Sequence, residues 1–212
     1  MPRSLDLTLI VAATPSMGIG RAGTLPWPAL KSDMAYFARV TKRTFPASTS
    51  SSSVRNAVVM GRKTWESIPV RFRPLKDRIN VVLTRNSGAI GEEEKKKEGS
   101  DVITATGMEG ALEELRKRGE AVGRCFVIGG TSVYEEAMRR PEMKRVLLTR
   151  VYKDFECDTF FPADLSSEVA AKEEGWRRGS REDLEAFVGE EVGEGKKADG
   201  DVEIEFCLFY RP

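Results

Sequence analysis

The sequence predicts an α/β fold, a mostly parallel sheet finished by antiparallel strands. Three observations carry this. Short runs rich in apolar and β-branched residues lack the alternation of a half-exposed strand, as expected of strands covered on both faces. Segments of helical period separate those runs. Beyond Asp154 the pattern changes to short β-like stretches. At 212 residues the chain is expected to form a single domain, 1–212, with charged surface insertions near 91–100 and 189–200.

In chain order, Leu5 to Ala13 reads as the first strand. The Gly/Pro-rich stretch Met17 to Phe37 (MGIGRAGTLPWPALKSDMAYF) follows and turns into a helix placed at Pro28 to Lys42. On that helix Leu30, Asp33, Met34 and Phe37 fall at i, i+3, i+4, i+7, so an acid sits inside the apolar stripe. Phe45 to Arg55, with its serine run, reads as a polar loop. Ala57 to Met60 is a second strand closed by Gly61, and Arg62-Lys63-Thr64-Trp65 opens a short helix that must end by Pro69. Ile79 to Thr84 is a third strand. The charge block Glu92 to Glu98 reads as a solvated insertion, expected to be disordered or mobile.

Val102 to Ala105 is a short strand, and Thr106-x-x-Glu109 has the capping-box pattern ahead of Met108, Ala111, Leu112 and Leu115. Gly119 stops that helix. Cys125 to Ile128 is a strand running into Gly129-Gly130-Thr131-Ser132, with a helix through Met138. Val146 to Tyr152 is another strand. In the tail, Trp176 to Ser180, Ala186 to Val188 and Val202 to Tyr210 read as β-like. They surround a second charged, Gly-rich insertion, Gly189 to Gly200, also expected to be disordered or mobile.

Composition excludes several chemistries. With 34 basic and 33 acidic residues the net charge is +1, giving no reason to expect non-specific nucleic-acid or membrane-surface binding. The chain has no histidine, which removes every Ser-His-Asp or Cys-His nucleophile and every imidazole-dependent metal site. Cys125, Cys157 and Cys207 are odd in number and lack a C-x-x-C, and read as buried free thiols of a reducing compartment, with one bridge as the alternative. Asp6 interrupts the apolar N-terminal run, no cleavage region follows, and no stretch approaches the roughly 18 apolar residues of a membrane span. A cytoplasmic protein is expected.

Three strand ends carry groups that suit phosphate. Gly129-Gly130-Thr131-Ser132 offers close backbone approach and amides at a helix start. Gly61-Arg62-Lys63-Thr64 adds two cations and a hydroxyl, and Thr84-Arg85 ends the next strand. Each alone is ordinary turn chemistry. Their coincidence at the carboxyl edge of the strands favours a dinucleotide, and the surplus of cations favours a 2′-phosphate, hence NADPH. Neither G-x-G-x-x-G nor a P-loop occurs, and Gly18-Ile19-Gly20 reads as the hinge of a mobile loop. Asp33 has an ordinary alternative as a satisfied structural acid. Its apolar neighbours would raise its pKa, and a carboxylate can bind an N–C–NH₂ edge in bidentate fashion.

Taken together, IVAATPSMGIG, LPWP with Asp33 beyond it, MGRKTWESIP, RPLKDRINVVLTR, VIGGTSVYEEAM, LLTRV and DTFFP resemble the dihydrofolate reductase family in its longer, fungus-like eukaryotic form. The resemblance covers nearly the whole chain. It implies a central eight-stranded, mostly parallel sheet with helices on both faces. It also implies hydride transfer from NADPH to C6 of 7,8-dihydrofolate with protonation at N5, in support of one-carbon and thymidylate metabolism.

By this resemblance Asp33 binds the pterin and promotes N5 protonation through water, Thr149 is its hydroxyl partner, Trp27 anchors the water and Leu25 closes over the ring. The Met17 to Thr24 loop is the lid. Ile10 and Ala12 lie near pterin and nicotinamide. Met34, Phe37, Ile68, Pro69 and Leu75 pack the benzoyl-glutamate tail, and Arg78 pairs its α-carboxylate. Ile19, Gly20, Gly61, Arg62, Lys63, Thr64, Thr84 and Arg85, with Ile128, Gly129, Gly130, Thr131, Ser132, Val133 and Tyr134, hold the cofactor. The Gly129-Gly130 peptide is expected to be cis. Expected partners are dihydrofolate and antifolate inhibitors, with no metal, no nucleic acid, no membrane and a monomeric, single-function chain.

Two departures stand out. Asp33 occupies a position where animal members carry glutamate, and Val102 to Thr106 lack the arginine that some members place on the 2′-phosphate. Two other classes compete: a non-catalytic pterin or nucleotide binder, which has no need of Asp33 and Thr149 together, and a reductase of a riboflavin precursor, which has no need of Arg78.

Overall fold

The computed structural model describes residues 5–44, 54–86, 88, 90–91, 94 and 101–211. The strands are β1 (Leu7–Ala13), β2 (Gly18–Gly20), β3 (Arg55–Gly61), β4 (Arg78–Leu83), β5 (Val102–Ala105), β6 (Val122–Gly129), β7 (Met143–Val151), β8 (Thr159–Phe160), β9 (Arg177–Arg178), β10 (Lys197–Asp199) and β11 (Val202–Tyr210). The helices are α1 (Lys31–Lys42), α2 (Arg62–Ser67), α3 (Met108–Lys117), α4 (Thr131–Met138), α5 (Glu168–Glu173) and α6 (Arg181–Val188). The path through the main sheet is β10-β11-β7-β1-β6-β3-β4-β5, eight strands, with the two-residue β9 pairing β11 off that path. This is the expected mostly parallel sheet with antiparallel C-terminal strands.

The chain divides into two compact units. One comprises Met1–Thr8 with Thr41–Met143. Its strands β6, β3, β4 and β5 pair in parallel, and the interior of β3 and the whole of β4 are buried, which explains their largely apolar composition. Asn56 is the polar exception in β3. It is fully buried, and its amide nitrogen donates to the Thr41 and Arg43 carbonyls at 3.0 and 2.8 Å. Trp65 is buried on α2, where Glu94 accepts from its indole at 3.3 Å and from Arg73 Nε at 2.9 Å. Glu94 of the first charge block is therefore held by partners and is not simply solvated. The rest of that block and the serine loop 45–53 lie outside the described residues, apart from Gly91.

The second unit comprises Leu9–Val40 with Lys144–Pro212. Here β11 runs antiparallel to β7 over seven paired residues and to β10 over three. Of β1, Leu9 to Ala13 falls in this unit and is buried apart from Ala12, as its run of apolar residues requires.

Five expectations are corrected. The helix read from Pro28 begins at Lys31, and its buried positions are Tyr36, Val40 and Thr41, with Leu30 buried just ahead of it, whereas Met34 is 52% exposed. The apolar stripe is thus rotated, since Tyr36 stacks flat on Phe206 with centroids 3.9 Å apart. Thr106 does not cap α3. Gly107 is the N-cap, and Glu136 of α4 takes the Met108 amide at 2.7 Å.

Ala186 to Val188 is helix, not strand: Ser180 and Asp183 form a capping box, and Gly189 ends α6 in the left-handed region at φ 72°. Of Trp176 to Ser180 only Arg177–Arg178 is strand, and α5 arises where no helix was read. Finally, the Gly189 to Gly200 insertion is built into the unit. Glu190 pairs with Arg39 at 2.9 Å, and Lys197–Asp199 forms β10.

All three cysteines are free; Cys125 and Cys207 are buried and Cys157 is partly exposed. Burial pushes the Cys125 thiol up to about 12 and that of Cys207 up to about 11, so both are inert at neutral pH. Among the described residues no helix is long and apolar enough to cross a membrane.

Candidate active site

In the second unit the site grows from α1. Asp33 lies in its first turn, half-buried, and the Thr149 hydroxyl of β7 donates to its carboxylate. Thr149 is itself buried, fixed opposite Phe206 in the β7–β11 register. Burial pushes the Asp33 carboxyl above the ordinary aspartate range. The Thr149 bond opposes this, the nearby Asp199 charge adds to it, and the Lys197 charge opposes it. An acid held this way takes up a proton more readily than a surface aspartate, which is what proton chemistry near neutral pH needs.

Trp27 is buried, edge-on to Phe155 at 6.0 Å, and its indole N–H has no hydrogen-bond partner among the described residues. It is a buried donor left for a small polar ligand atom or water. Ile10 is buried and Ala12 partly so on β1, and Phe37 is half-buried on α1. Leu25 and Met34 are more than half exposed, apolar side chains open to a ligand.

The Gly18–Gly20 hinge is a short strand. It pairs β8, and Thr14 receives the Gly18 amide on its hydroxyl at 2.9 Å while Phe161 N donates to the Met17 carbonyl at 2.8 Å. The stretch read as a mobile lid is therefore anchored at Met17–Gly20, with Ile19 and Gly20 inside the pairing.

Asp199 was missed by sequence reasoning. Its carboxylate accepts the backbone amides of Lys31, Ser32 and Asp33 at 3.0, 2.8 and 3.2 Å, so it caps α1 from β10. Nothing local distinguishes it within a charged, Gly-rich stretch.

The first unit holds the other set. The Gly129–Gly130 peptide is cis, as expected, and Gly129 has φ 123°. A Cβ on Gly129 would lie 3.4 Å from the Tyr134 hydroxyl oxygen and 3.5 Å from Thr64 Oγ1, so Gly129, Thr64 and Tyr134 converge. The Gly130 carbonyl accepts the Val133 and Tyr134 amides, opening α4 with Thr131 and Ser132 in its first turn. Ile128 precedes the turn on β6. Gly61 ends β3, where a Cβ would approach Val133 Cγ2 to 3.2 Å.

Arg62 and Lys63 are exposed at the start of α2, Arg62 pairing with Glu66 at 2.9 Å, and Arg85 is exposed just after the buried Thr84. A glycine pair without side chains, next to a helix start and exposed cations, fits a phosphate-bearing nucleotide.

Arg78 is only 4% exposed. It donates from Nη1 to the Thr41 hydroxyl at 2.8 Å and from Nε to the Lys76 carbonyl at 3.0 Å, and burial lowers its pKa to about 10. Ile68 and Leu75 are partly exposed and Pro69 exposed in the same unit. Thr41 is a second residue that sequence reasoning missed.

A mostly parallel α/β sheet with glycine turns at its strand ends defines a class, the nucleotide-binding α/β folds. The sequence model of the dihydrofolate reductase family matches residues 6–186. The chain is 42% identical over 216 residues to the dihydrofolate reductase of Pneumocystis carinii, covering all of this chain and 99% of that one. It is 40% identical to that of Schizosaccharomyces pombe over 96% of this chain and 46% of the relative. The solved Schistosoma mansoni dihydrofolate reductase superposes with a TM-score of 0.74 at 29% identity, covering 99% of this chain and all of that one. This chain belongs to the dihydrofolate reductase family, and is an oxidoreductase working with a nicotinamide cofactor.

Proposed function

We propose that the chain reduces 7,8-dihydrofolate to 5,6,7,8-tetrahydrofolate with NADPH, as a single catalytic domain and a cytoplasmic monomer. The observation that carries the reading is the Asp33–Thr149 pair: a half-buried carboxylate, raised in pKa and oriented by a hydroxyl, in a chain with no histidine. When bound, the dihydronicotinamide supplies the hydride. The C6=N5 bond of the substrate then gains that hydride at C6 and one proton at N5, which balances the reaction.

The remaining work falls to the chain's own residues. Asp33 accepts from the 2-amino group and N3 of the pterin, a donor pair that matches two carboxylate oxygens. Its raised proton affinity lets it feed a proton towards N5 through water, and the Trp27 indole N–H is the donor available to orient that water. Ile10 and Ala12 flank the rings, and Leu25 with the Met17–Thr24 segment covers them, excluding water. Arg78 takes the α-carboxylate of the glutamate tail, its guanidinium fixed by Thr41, while Met34, Phe37, Ile68, Pro69 and Leu75 pack the tail.

On the cofactor side Gly129 to Ser132 receive the pyrophosphate, Tyr134 and Val133 back the nicotinamide end, and Ile19 and Gly20 approach it. Arg62, Lys63, Thr64, Thr84 and Arg85, with Gly61, hold the adenosine phosphates, with the cations selecting the 2′-phosphate. The test is loss of the 340 nm band on mixing protein, NADPH and dihydrofolate, about one mole of each consumed per mole of product. No loss between pH 5 and 9 would sink the reading.

A further inference from the structure

The insertion Gly189 to Gly200 has no role in the scheme above, yet it supplies the residue that holds α1. We propose that Asp199 is a positioning residue for the Asp33 site: its carboxylate grips the first turn of α1 through three amides, sets Asp33 against Thr149, and keeps an anion beside it. The proposal rests on the reading of Asp33 given under Proposed function.

The geometry is specific. Asp199 is 7% exposed, and one of its oxygens takes both the Ser32 and the Asp33 amides at 2.8 and 3.2 Å, the other the Lys31 amide at 3.0 Å. The residue that carries the working carboxylate is thus bonded directly to β10. β10 is fixed in turn by pairing Asp199 with Val202 and Lys197 with Ile204. A cap of this kind also cancels part of the positive end of the helix, which would otherwise favour an ionised Asp33.

Among the described residues, few charged and titratable groups surround Asp33. Asp199 and Lys197 face it from β10, with opposite effects, and Tyr36 on α1 feels its charge; β7 contributes the uncharged Thr149. Lys197 sits over the Phe206 ring at 4.1 Å, with Arg39 and Glu190 as its further electrostatic neighbours. Burial and the Thr149 bond act on Asp33 first, and the β10 hairpin adds two opposed charges to them.

The experiment titrates Asp33 directly by ¹³C NMR of carboxyl-labelled aspartate, its resonance assigned by its loss in Asp33→Asn, and in parallel follows kcat against pH with NADPH and dihydrofolate. Asp199→Asn should move the Asp33 midpoint to lower pH, and Lys197→Gln to higher pH. The kcat of Asp199→Asn should fall roughly three- to tenfold at pH 7.5 and stay within about twofold at pH 5.5. Asp199→Ser, which removes the charge on a shorter side chain, should move the midpoint in the same direction.

If Asp199→Asn does not fold, Asp199→Ser decides. Midpoints that stay in place in the folded Asp199 variant, whatever its Tm, overturn the proposal and leave only a structural cap. The reading of Asp33 fails separately, if Asp33→Asn retains wild-type kcat at pH 7.5.

Discussion

Arg78 donates to the Thr41 hydroxyl at 2.8 Å, and both side chains are buried. The bond aims a guanidinium that burial has already made less basic, with a pKa of about 10, so an anionic partner repays part of its desolvation. Thr41→Val, nearly isosteric, should raise KM for dihydrofolate about tenfold and leave kcat within about twofold, the signature of lost uniform binding. A substrate analogue lacking the glutamate should show no change. Equal KM increases for both substrates would remove Arg78 from the tail site.

Asp33→Asn should lower kcat by about 10²- to 10⁴-fold at pH 8 and less at pH 5.5, where solution acid protonates the substrate beforehand. Steady-state pH profiles check this. A loss that is uniform across pH would mean a binding role alone.

The same substitution should stabilise the fold at neutral pH. The folded state keeps Asp33 protonated above the ordinary value of 3.8, where the unfolded chain has already lost the proton. Stability therefore falls as pH rises from the ordinary range through the raised value, and the cost is fully present above it. The neutral amide of the Asp33→Asn variant carries no such charge. Thermal melts should place the variant above wild type at pH 7, by about 2–4 °C per kcal/mol recovered, and the difference should close near pH 3.

Arg85→Ala should weaken NADPH by about 10- to 100-fold and NADH by less than about threefold, since a charge-assisted bond to a 2′-phosphate exists only in the first. Fluorescence titration with both cofactors reads this directly. Equal losses would contradict the 2′-phosphate assignment.

Gly18→Ala should destabilise by about 1–3 kcal/mol, because its Cβ would clash with Cys157 Sγ and lie 2.7 Å from Cys157 Cβ, just ahead of the short β2–β8 pair. Cys157→Ser alone should be mild. A melt of Gly18→Ala within 1 °C of wild type would mean that the two strands separate freely.

Local rules reached much of this molecule. The largely apolar runs in β3 and β4 follow from the burial of both strands, and the acid on α1 was visible because it interrupts an apolar period. The Gly129–Gly130 turn was legible as a glycine pair at a strand end, whereas Arg78 was named only through the family resemblance. The α6 helix was also legible in hindsight, from Ser180-x-x-Asp183 and the Leu184–Val188 spacing.

What the tertiary structure alone decided is how that acid is held. Asp199 lies 166 residues from Asp33, in a stretch whose composition reads as solvent-loving, and it becomes a buried cap only because β10 pairs β11. The rotation of the α1 stripe onto Tyr36 likewise follows from the Phe206 ring stacked on it. Sequence patterning records what each segment wants from its neighbours. Which distant side chain meets a given helix amide depends on strand register, and register is a property of the assembled chain.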